Sequence, residues 1–115
     1  MDFSERIFCG ELTREHLDRE VLLCGWVDAY RDHGGLLFIH LRDRSGIVQI
    51  VFSPEFTPAE VCRGAASLRT EYCLAVQGEV RKRQAGTENP NIETGQLEVF
   101  VSKLTVLSEA EPLPF

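Results

Sequence analysis

The order of the predicted secondary structure elements constrains the fold more than any other feature of the sequence. Five segments alternate apolar and polar residues as β-strands do, and one helical segment separates the third from the fourth. The helix begins at a capping box formed by Thr57 and Glu60, with Pro58 at its first position, and ends near Thr70. The predicted strands are 21–30, 36–42, 47–52, 72–83 and 96–107.

This β-β-β-α-β-β order is typical of an all-β domain, the five-stranded OB-fold Greek-key barrel, in which the helix closes one end. Gly25 supports this interpretation, because a glycine inside a strand often marks a bulge or a barrel corner. In the same strand, Val21, Leu23, Val27 and Ala29 are expected to face the core. A generic α+β sandwich remains open as the alternative.

Length and composition fit one small domain with a single core: 115 residues, 13.0 kDa and a net charge of −6. No apolar run approaches the ~20 residues that cross a bilayer, and the first five residues lack the features of a secretory signal. The four cysteines are scattered without a Cys-x-x-Cys pair, which argues against a zinc site or a disulfide framework. We expect a reduced, cytoplasmic protein that does not associate with membranes.

The acidic net charge means that any contact with nucleic acid depends on a local patch, because long-range attraction to phosphate is absent. The basic run of Arg81, Lys82 and Arg83 is the place for such a patch. If Val80 points inward, Arg81 and Arg83 emerge together on the outward face, beside a loop over 84–95. The structural alternative is that these residues only protect the edge of a sheet.

The second and third strands present an aromatic ring and an amide on one outward face. If Leu37, Ile39 and Leu41 point inward, Phe38 points outward, and Gln49 lies outside on the next strand. This face of an OB-fold binds nucleic acid, where a ring can stack on a base and an amide can hydrogen-bond a base edge. The structural alternatives are a ring on a covered part of the sheet and a solvated glutamine.

Two further residues could contact nucleic acid. Arg31, in a turn predicted over 31–35, lies at the rim of this face, and Asn89 lies in the 84–95 loop. The sequence has no Ser-His-Asp constellation, and Gly34-Gly35 is not followed by the helix that a phosphate-cradling loop requires. We therefore expect no catalysis by this chain alone.

Several short stretches carry a family resemblance over nearly the whole chain. They are FCGEL (8–12), GWV (25–27), RDHGGLLFIHLRDRSGIVQIVF (31–52), LRTEY (68–72), VRKR (80–83), ENPN (88–91), TGQLEV (94–99) and PLPF (112–115). In their order and spacing, they resemble the N-terminal anticodon-binding domain of bacterial-type aspartyl-tRNA synthetases. The stretches over 88–99 favour the aspartyl branch over the lysyl and asparaginyl relatives.

The resemblance implies a role for each candidate residue. Phe38 would stack on the central anticodon base, a uracil, and Gln49 would hydrogen-bond that base. Arg31 would contact the anticodon backbone or bases, and Glu98 would accept hydrogen bonds from the first base, a guanine. The residues expected to flank the anticodon are Arg81, Arg83 and Asn89.

The resemblance also bears on which tRNA is recognised, because the Asp and Asn anticodons differ only in their third base. Non-discriminating members of the family carry histidine after the Arg-Asp pair and glycine in the later loop, and this sequence has His33 and Gly86 there. The resemblance thus implies that the parent enzyme charges both tRNA(Asp) and tRNA(Asn). The alternative is that His33 only caps the turn and Gly86 only permits a positive φ.

The family's parent enzyme attaches aspartate to tRNA, using ATP and magnesium in a C-terminal catalytic domain, and is expected to be a homodimer. For this chain alone we expect a monomer without cofactor: a barrel over 1–107, then a hinge over 108–115 that leads to the catalytic domain. The tail suggests the hinge, because Leu113 and Phe115 would have nothing to pack against. The rival interpretation is a free-standing OB-fold module for single-stranded nucleic acid or a protein partner.

Overall fold

Five strands close into a barrel in the order β1-β2-β3-β5-β4. The computed structural model describes residues 7–84, 86–92 and 94–109. The elements are two single-turn 3₁₀ helices, Cys9–Glu11 and Arg14–His16, then β1 Glu20–His33, β2 Leu36–Asp43, β3 Gly46–Phe52, α1 Ala59–Ala65, β4 Cys73–Lys82 and β5 Leu97–Ser108. Strands β3 and β5 pair in parallel, and the other pairs are antiparallel. The predicted five-stranded OB-fold barrel is confirmed, and the α+β sandwich is wrong.

The core fills the barrel because alternate residues of each strand point inward. Burial along β2 alternates residue by residue, with Leu37, Ile39 and Leu41 buried and Phe38 half-buried, as the sequence predicts. From α1 and the turn after it, Ala65 and Leu68 add to the same core. The outer face of β2 and β3 therefore carries the residues left for binding.

Strand β1 departs from the predicted alternation at a bulge. Its register against β2 shifts between Val27 and Ala29, so Asp28 is an extra residue on this strand. Ala29, expected in the core, is exposed. Beyond the bulge β1 continues to His33, so the turn predicted over 31–35 contains only Gly34 and Gly35 between the strands.

Those two glycines form the tight turn. Gly34 and Gly35 have φ of 62° and 88°, as both central residues of a type I′ hairpin turn require. Arg31 consequently lies in a strand rather than in a loop, opposite Phe38 of β2.

The helix α1 is shorter than predicted, and Thr57 does not cap it. Pro58 is the N-cap residue, without a side-chain cap hydrogen bond. The Thr57 hydroxyl instead donates to the Val101 carbonyl oxygen at 2.7 Å and accepts from the Ser53 amide at 3.1 Å. The helix ends at Ala65, not near Thr70, because the chain turns tightly to place Leu68 in the core. Within the described ranges, no helix has the length and apolar character needed to cross a bilayer.

Strand β5 ends at Ser108, and the described chain ends at Glu109. Residues 110–115, which form most of the predicted hinge, lie outside the described residues.

Candidate nucleic-acid interface

Two rows of side chains cross the outer face of the barrel, each with one residue from every strand. Residues paired in register point to the same face of a sheet. The first row is Arg31, Phe38, Val51, Phe100 and Glu79. The second row is Ala29, His40, Gln49, Glu98 and Arg81.

Above these rows lie two adjoining depressions of about 360 and 370 Å³, which we call together the groove. Both depressions are lined by Arg31, Phe38, Gln49, Arg83 and Thr87. Residues found in only one of them include Tyr30, His40, Glu88 and Asn89 on one side and Val51, Arg81, Glu98 and Phe100 on the other. The seven residues expected to contact RNA thus surround one continuous concave surface.

Phe38 lies outside the core, as expected from its place in the alternation of β2. Its ring is half-buried at the centre of the groove. The Arg31 guanidinium carbon lies 5.2 Å from the ring centroid, within the range of a cation–π contact. An aromatic ring and a cation therefore occupy adjacent strands of the same surface.

Gln49 and Glu98 form a hydrogen-bonded pair rather than two independent groups. The Gln49 Nε2 donates to Glu98 Oε1 at 3.0 Å. Gln49 is only 7% exposed, so the alternative of an ordinary solvated glutamine is wrong. Burial raises the pKa of Glu98, and the hydrogen bond from Gln49 opposes that rise. The pair leaves one Gln49 N–H and the amide oxygen for a ligand.

Arg81 and Arg83, the two arginines of the basic run, both interact with other groups of the protein. Arg83 is 6% exposed, and its Nε and Nη1 donate to the carbonyl oxygens of Leu97 and Thr87 at 3.1 and 3.2 Å. Arg81 forms an ion pair with Glu79, with Nη2 2.8 Å from Oε2. The expectation that Arg83 emerges on the surface with Arg81 is wrong, because β4 ends at Lys82 and the following loop packs over Arg83.

Comparison with known proteins identifies the domain type. Residues 21–107 match the tRNA anti-codon family, described as an OB-fold nucleic acid binding domain. The chain belongs to this family. Its whole length is 76% identical to part of an Aspartate--tRNA(Asp/Asn) ligase 1 from Syntrophus aciditrophicus, and 99% of it is 49% identical to part of an Aspartate--tRNA(Asp/Asn) ligase from Persephonella marina. The chain spans only 16% and 19% of these relatives.

A solved structure of the same fold is asparaginyl-tRNA synthetase from Pyrococcus horikoshii with asparaginyl-adenylate. It matches 96% of this chain and 24% of its own with a TM-score of 0.76 and 30% identity. These matches confirm the similarity to the aspartyl-tRNA synthetase family that the motifs indicated.

His33 and Gly86, which the family resemblance links to tRNA choice, do not line the groove. His33 is exposed at the end of β1, and Gly86 is exposed in the loop after β4. Gly86 has a φ of 89°, and its amide donates to Glu88 Oε1 at 2.8 Å. The positive φ of the structural alternative is thus observed at Gly86.

The groove residues that were not predicted from the sequence include Phe100, His40 and Thr87. Phe100 could have been found, because Leu97, Val99 and Val101 are buried and alternation then places Phe100 beside Glu98 on the outer face. The alternation of β2 likewise places His40 on the outer face, next to Phe38 in the pattern. Thr87 gave no signal, since its place depends on hydrogen bonds from its amide and hydroxyl to the Gln84 carbonyl oxygen.

His40 adds a titratable ring to the groove. It is half-buried beside Gln49 in the second row. Burial lowers the pKa of His40, and the positive charge of Arg83 lowers it further. The imidazole is therefore neutral at pH 7, with one nitrogen that donates and one that accepts.

Proposed function

We propose that this domain binds the anticodon loop of a tRNA and forms the anticodon-recognising part of an aspartate–tRNA ligase. The observation that carries the proposal is the groove, where Phe38, Gln49 and Glu98 lie on adjacent strands of one face. Proteins bind unstacked bases of single-stranded RNA with an aromatic ring that stacks on the base and a neighbouring polar group that hydrogen-bonds its edge. The similarity to ligases for tRNA(Asp/Asn) supports the same assignment.

The central base of the anticodon would stack on Phe38. Stacking on an aromatic ring contributes ~1–3 kcal/mol per base. The remaining N–H and the carbonyl oxygen of the Gln49 amide match the O4 acceptor and the N3–H donor of uracil. Because the Gln49 Nε2 is already held by Glu98, the amide is oriented before RNA arrives.

Glu98 would bind the first base. Its Oε1 accepts from Gln49, so Oε2 is the oxygen that would accept from the N1–H or N2–H of guanine. On the other side of Phe38, Arg31 and Asn89 would contact the backbone or the third base. Arg83 would act chiefly by holding the Thr87 end of the loop in place.

The domain would tolerate both the tRNA(Asp) and the tRNA(Asn) anticodon. His33 and Gly86 lie outside the groove, so they would act through the β1–β2 hairpin and the loop after β4 rather than by touching the third base. The remainder of the parent protein would attach aspartate with ATP and magnesium, as a cytoplasmic homodimer. These properties of the parent are part of the proposal.

Fluorescence anisotropy of labelled tRNA stem-loops tests the proposal. GUC and GUU loops are expected to bind with similar Kd, and a CAC loop of equal length about tenfold more weakly. Phe38→Ala is expected to weaken GUC binding about tenfold, the loss of one stacked base. Arg63→Ala, an exposed cation of α1 away from the groove, is the matched control.

Equal affinity for the GUC and CAC loops would favour the free-standing single-strand module instead. If the Phe38→Ala variant binds the GUC loop with the same affinity as wild type, Phe38 does not stack on a base. Discrimination is tested separately by charging both tRNAs with the parent enzyme, and failure to charge tRNA(Asn) would contradict the non-discriminating assignment.

A further inference from the structure

The Arg81 guanidinium rests against two aromatic rings at one end of the groove. Its central carbon lies 4.3 Å from the ring centroid of Phe100 and 4.8 Å from that of Phe56. The two rings pack edge to face, with an interplanar angle of 89°. Phe56 comes from the segment between β3 and α1, and Phe100 from β5, so two separate parts of the chain fix one guanidinium.

The charge of Arg81 is already compensated. Glu79 holds Nη2 at 2.8 Å and accepts from Nε at 2.9 Å, from the same strand. The Arg81 side chain nevertheless stays 40% exposed and lines the groove. A cation with its own carboxylate attracts phosphate poorly, whereas the planar group keeps its capacity to stack.

We propose that the Arg81 guanidinium, held by Phe56, Phe100 and Glu79, is a stacking surface for a second nucleobase, next to the one on Phe38. The inference rests on the proposed function and extends it. Guanidinium planes stack on unpaired bases as aromatic rings do. An arginine that only binds phosphate would not need two aromatic rings to orient it. The negative charge of Glu79 would also weaken its attraction to phosphate.

The register assigns the base. Glu98 and Arg81 are paired residues of β5 and β4, so a base whose edge reaches the Glu98 carboxylate has Arg81 beside it. Phe38 and Phe100 lie on either side of Val51, two strand spacings or roughly 10 Å apart. This separation allows two neighbouring bases to be held apart from each other. The first anticodon base, a purine with a large ring surface, is the one we assign to Arg81.

Two variants remove the stacking surface and preserve the charge or the apolar volume of the original side chain. Arg81→Lys keeps the charge and the partner of Glu79 but loses the plane, and Phe100→Leu keeps apolar volume but loses the ring that orients Arg81. Each is titrated against the GUC stem-loop and against the same loop with an abasic nucleotide at the first or the third anticodon position. The affinities of each variant for the different RNAs are compared with one another. A general loss of protein stability affects all of these affinities equally, so it does not change their ratios.

We expect Arg81→Lys to weaken binding of the intact loop and of the third-position abasic loop about tenfold. The same variant should bind the first-position abasic loop as wild type does, within about twofold, because the base that stacks is already missing. Phe100→Leu should follow the same pattern. Lys82→Gln, the adjacent exposed cation, is the matched control and should weaken all three loops equally.

Equal weakening of all loops by Arg81→Lys would overturn the inference, as would unchanged affinity of that variant for the intact loop. Phe38→Ala separates this failure from failure of the proposed function. If Phe38→Ala weakens binding while Arg81→Lys shows no dependence on the first base, the anticodon assignment stands and the second stacking surface does not exist. If Phe38→Ala changes nothing, the proposed function itself fails.

Discussion

The polar residues of the groove are mostly paired with one another before any ligand binds. Gln49 holds Glu98, Glu79 holds Arg81, and Arg83 binds two backbone carbonyl oxygens. Such pairing fixes side-chain directions and lowers the entropy lost on binding. It also leaves His40 as a half-buried titratable ring among cations.

The free energy of unfolding should depend on pH through His40. Its folded pKa is lowered from the usual 6.5 by burial and by the charges of Arg83, Arg31 and Arg42, with Asp28 opposing. Between the folded and the unfolded pKa the unfolded chain binds more protons, so acidification from about pH 7 to about pH 5 lowers the free energy of unfolding.

His40→Asn removes this titration. Urea unfolding at pH 7, 6 and 5 should therefore show wild type losing stability relative to the variant as the pH falls. A stability difference that stays constant over this range would contradict the lowered pKa.

Asp43 joins the first 3₁₀ helix to the turn between β2 and β3. Its carboxylate accepts from the Cys9 amide at 2.7 Å, the Ser45 amide at 2.8 Å and the Ser45 hydroxyl at 2.6 Å. Burial alone would raise the pKa of Asp43, but these hydrogen bonds outweigh it and lower the pKa. The contribution to stability is therefore present above the unfolded pKa and is lost as the pH falls through the folded one.

Asp43→Asn should lower the free energy of unfolding by about 2 kcal/mol at pH 7, because hydrogen bonds to a buried charged acceptor are lost. The difference from wild type should begin to shrink below the unfolded Asp pKa of about 3.9, where the unfolded carboxylate becomes protonated. It should vanish only below the lowered folded pKa, where the folded carboxylate is protonated as well. Ser45→Ala removes the hydroxyl that donates to Asp43 and accepts from the Gly10 amide at 2.9 Å, and should lower the free energy of unfolding by about 1–2 kcal/mol. Chemical denaturation of wild type and both variants at pH 7 and pH 3 measures these losses. If Asp43→Asn and wild type have the same free energy of unfolding at pH 7, the role of the Asp43 carboxylate is refuted.

The loop that carries Asn89 depends on the absence of a side chain at Gly95. The Asn89 amide donates to the Gly95 carbonyl oxygen at 2.9 Å, and a Cβ on Gly95 would collide with the Asn89 carbonyl oxygen. Gly95→Ala should therefore displace Asn89, weaken binding of the GUC stem-loop about fivefold and lower the free energy of unfolding by about 1–3 kcal/mol.

Gly64→Ala provides the control. A Cβ at that helix position meets only Leu104, at 3.8 Å, so the variant should be neutral or more stable by about 0.5–1 kcal/mol. Its RNA affinity should not change. Unchanged RNA affinity of Gly95→Ala would show that the position of Asn89 does not matter for binding.

How far the sequence predicts each element depends on how local its determinants are. The alternation of β2 is a two-residue period, so it placed Phe38 outside and Leu37 inside correctly. The burial of Arg83 depends on a loop that packs over it from beyond the strand, and Thr57 is held by Val101 of a distant strand. Such non-local contacts leave no periodic signal in the sequence. For this reason the prediction of an exposed Arg83 and the prediction of a helix cap at Thr57 were both wrong.

If the groove binds RNA as proposed, the RNA affinity of this acidic domain should depend only weakly on salt concentration. The net charge is −6, and of the cations around the groove Arg81 and Arg83 are held by protein groups. Arg31 and Lys82 are exposed there and can reach phosphate. Two phosphate contacts on a single strand give a slope of log K against log salt of about −1.4.

Titrations of the GUC stem-loop between about 50 and 200 mM salt measure this slope directly. A slope steeper than about −4 would mean that many more phosphates are contacted than the groove can account for.

We expect the anticodon to bind one outer face of the barrel, centred on Phe38 and Gln49. Amide ¹H–¹⁵N correlation spectra of the 13.0-kDa domain, recorded during titration with the GUC stem-loop, test it most directly. We predict that the largest shifts occur at Phe38, His40, Gln49 and Glu98, with α1 unaffected. Shifts concentrated on α1 or on Arg14–His16, with Phe38 and Gln49 unchanged, would contradict it.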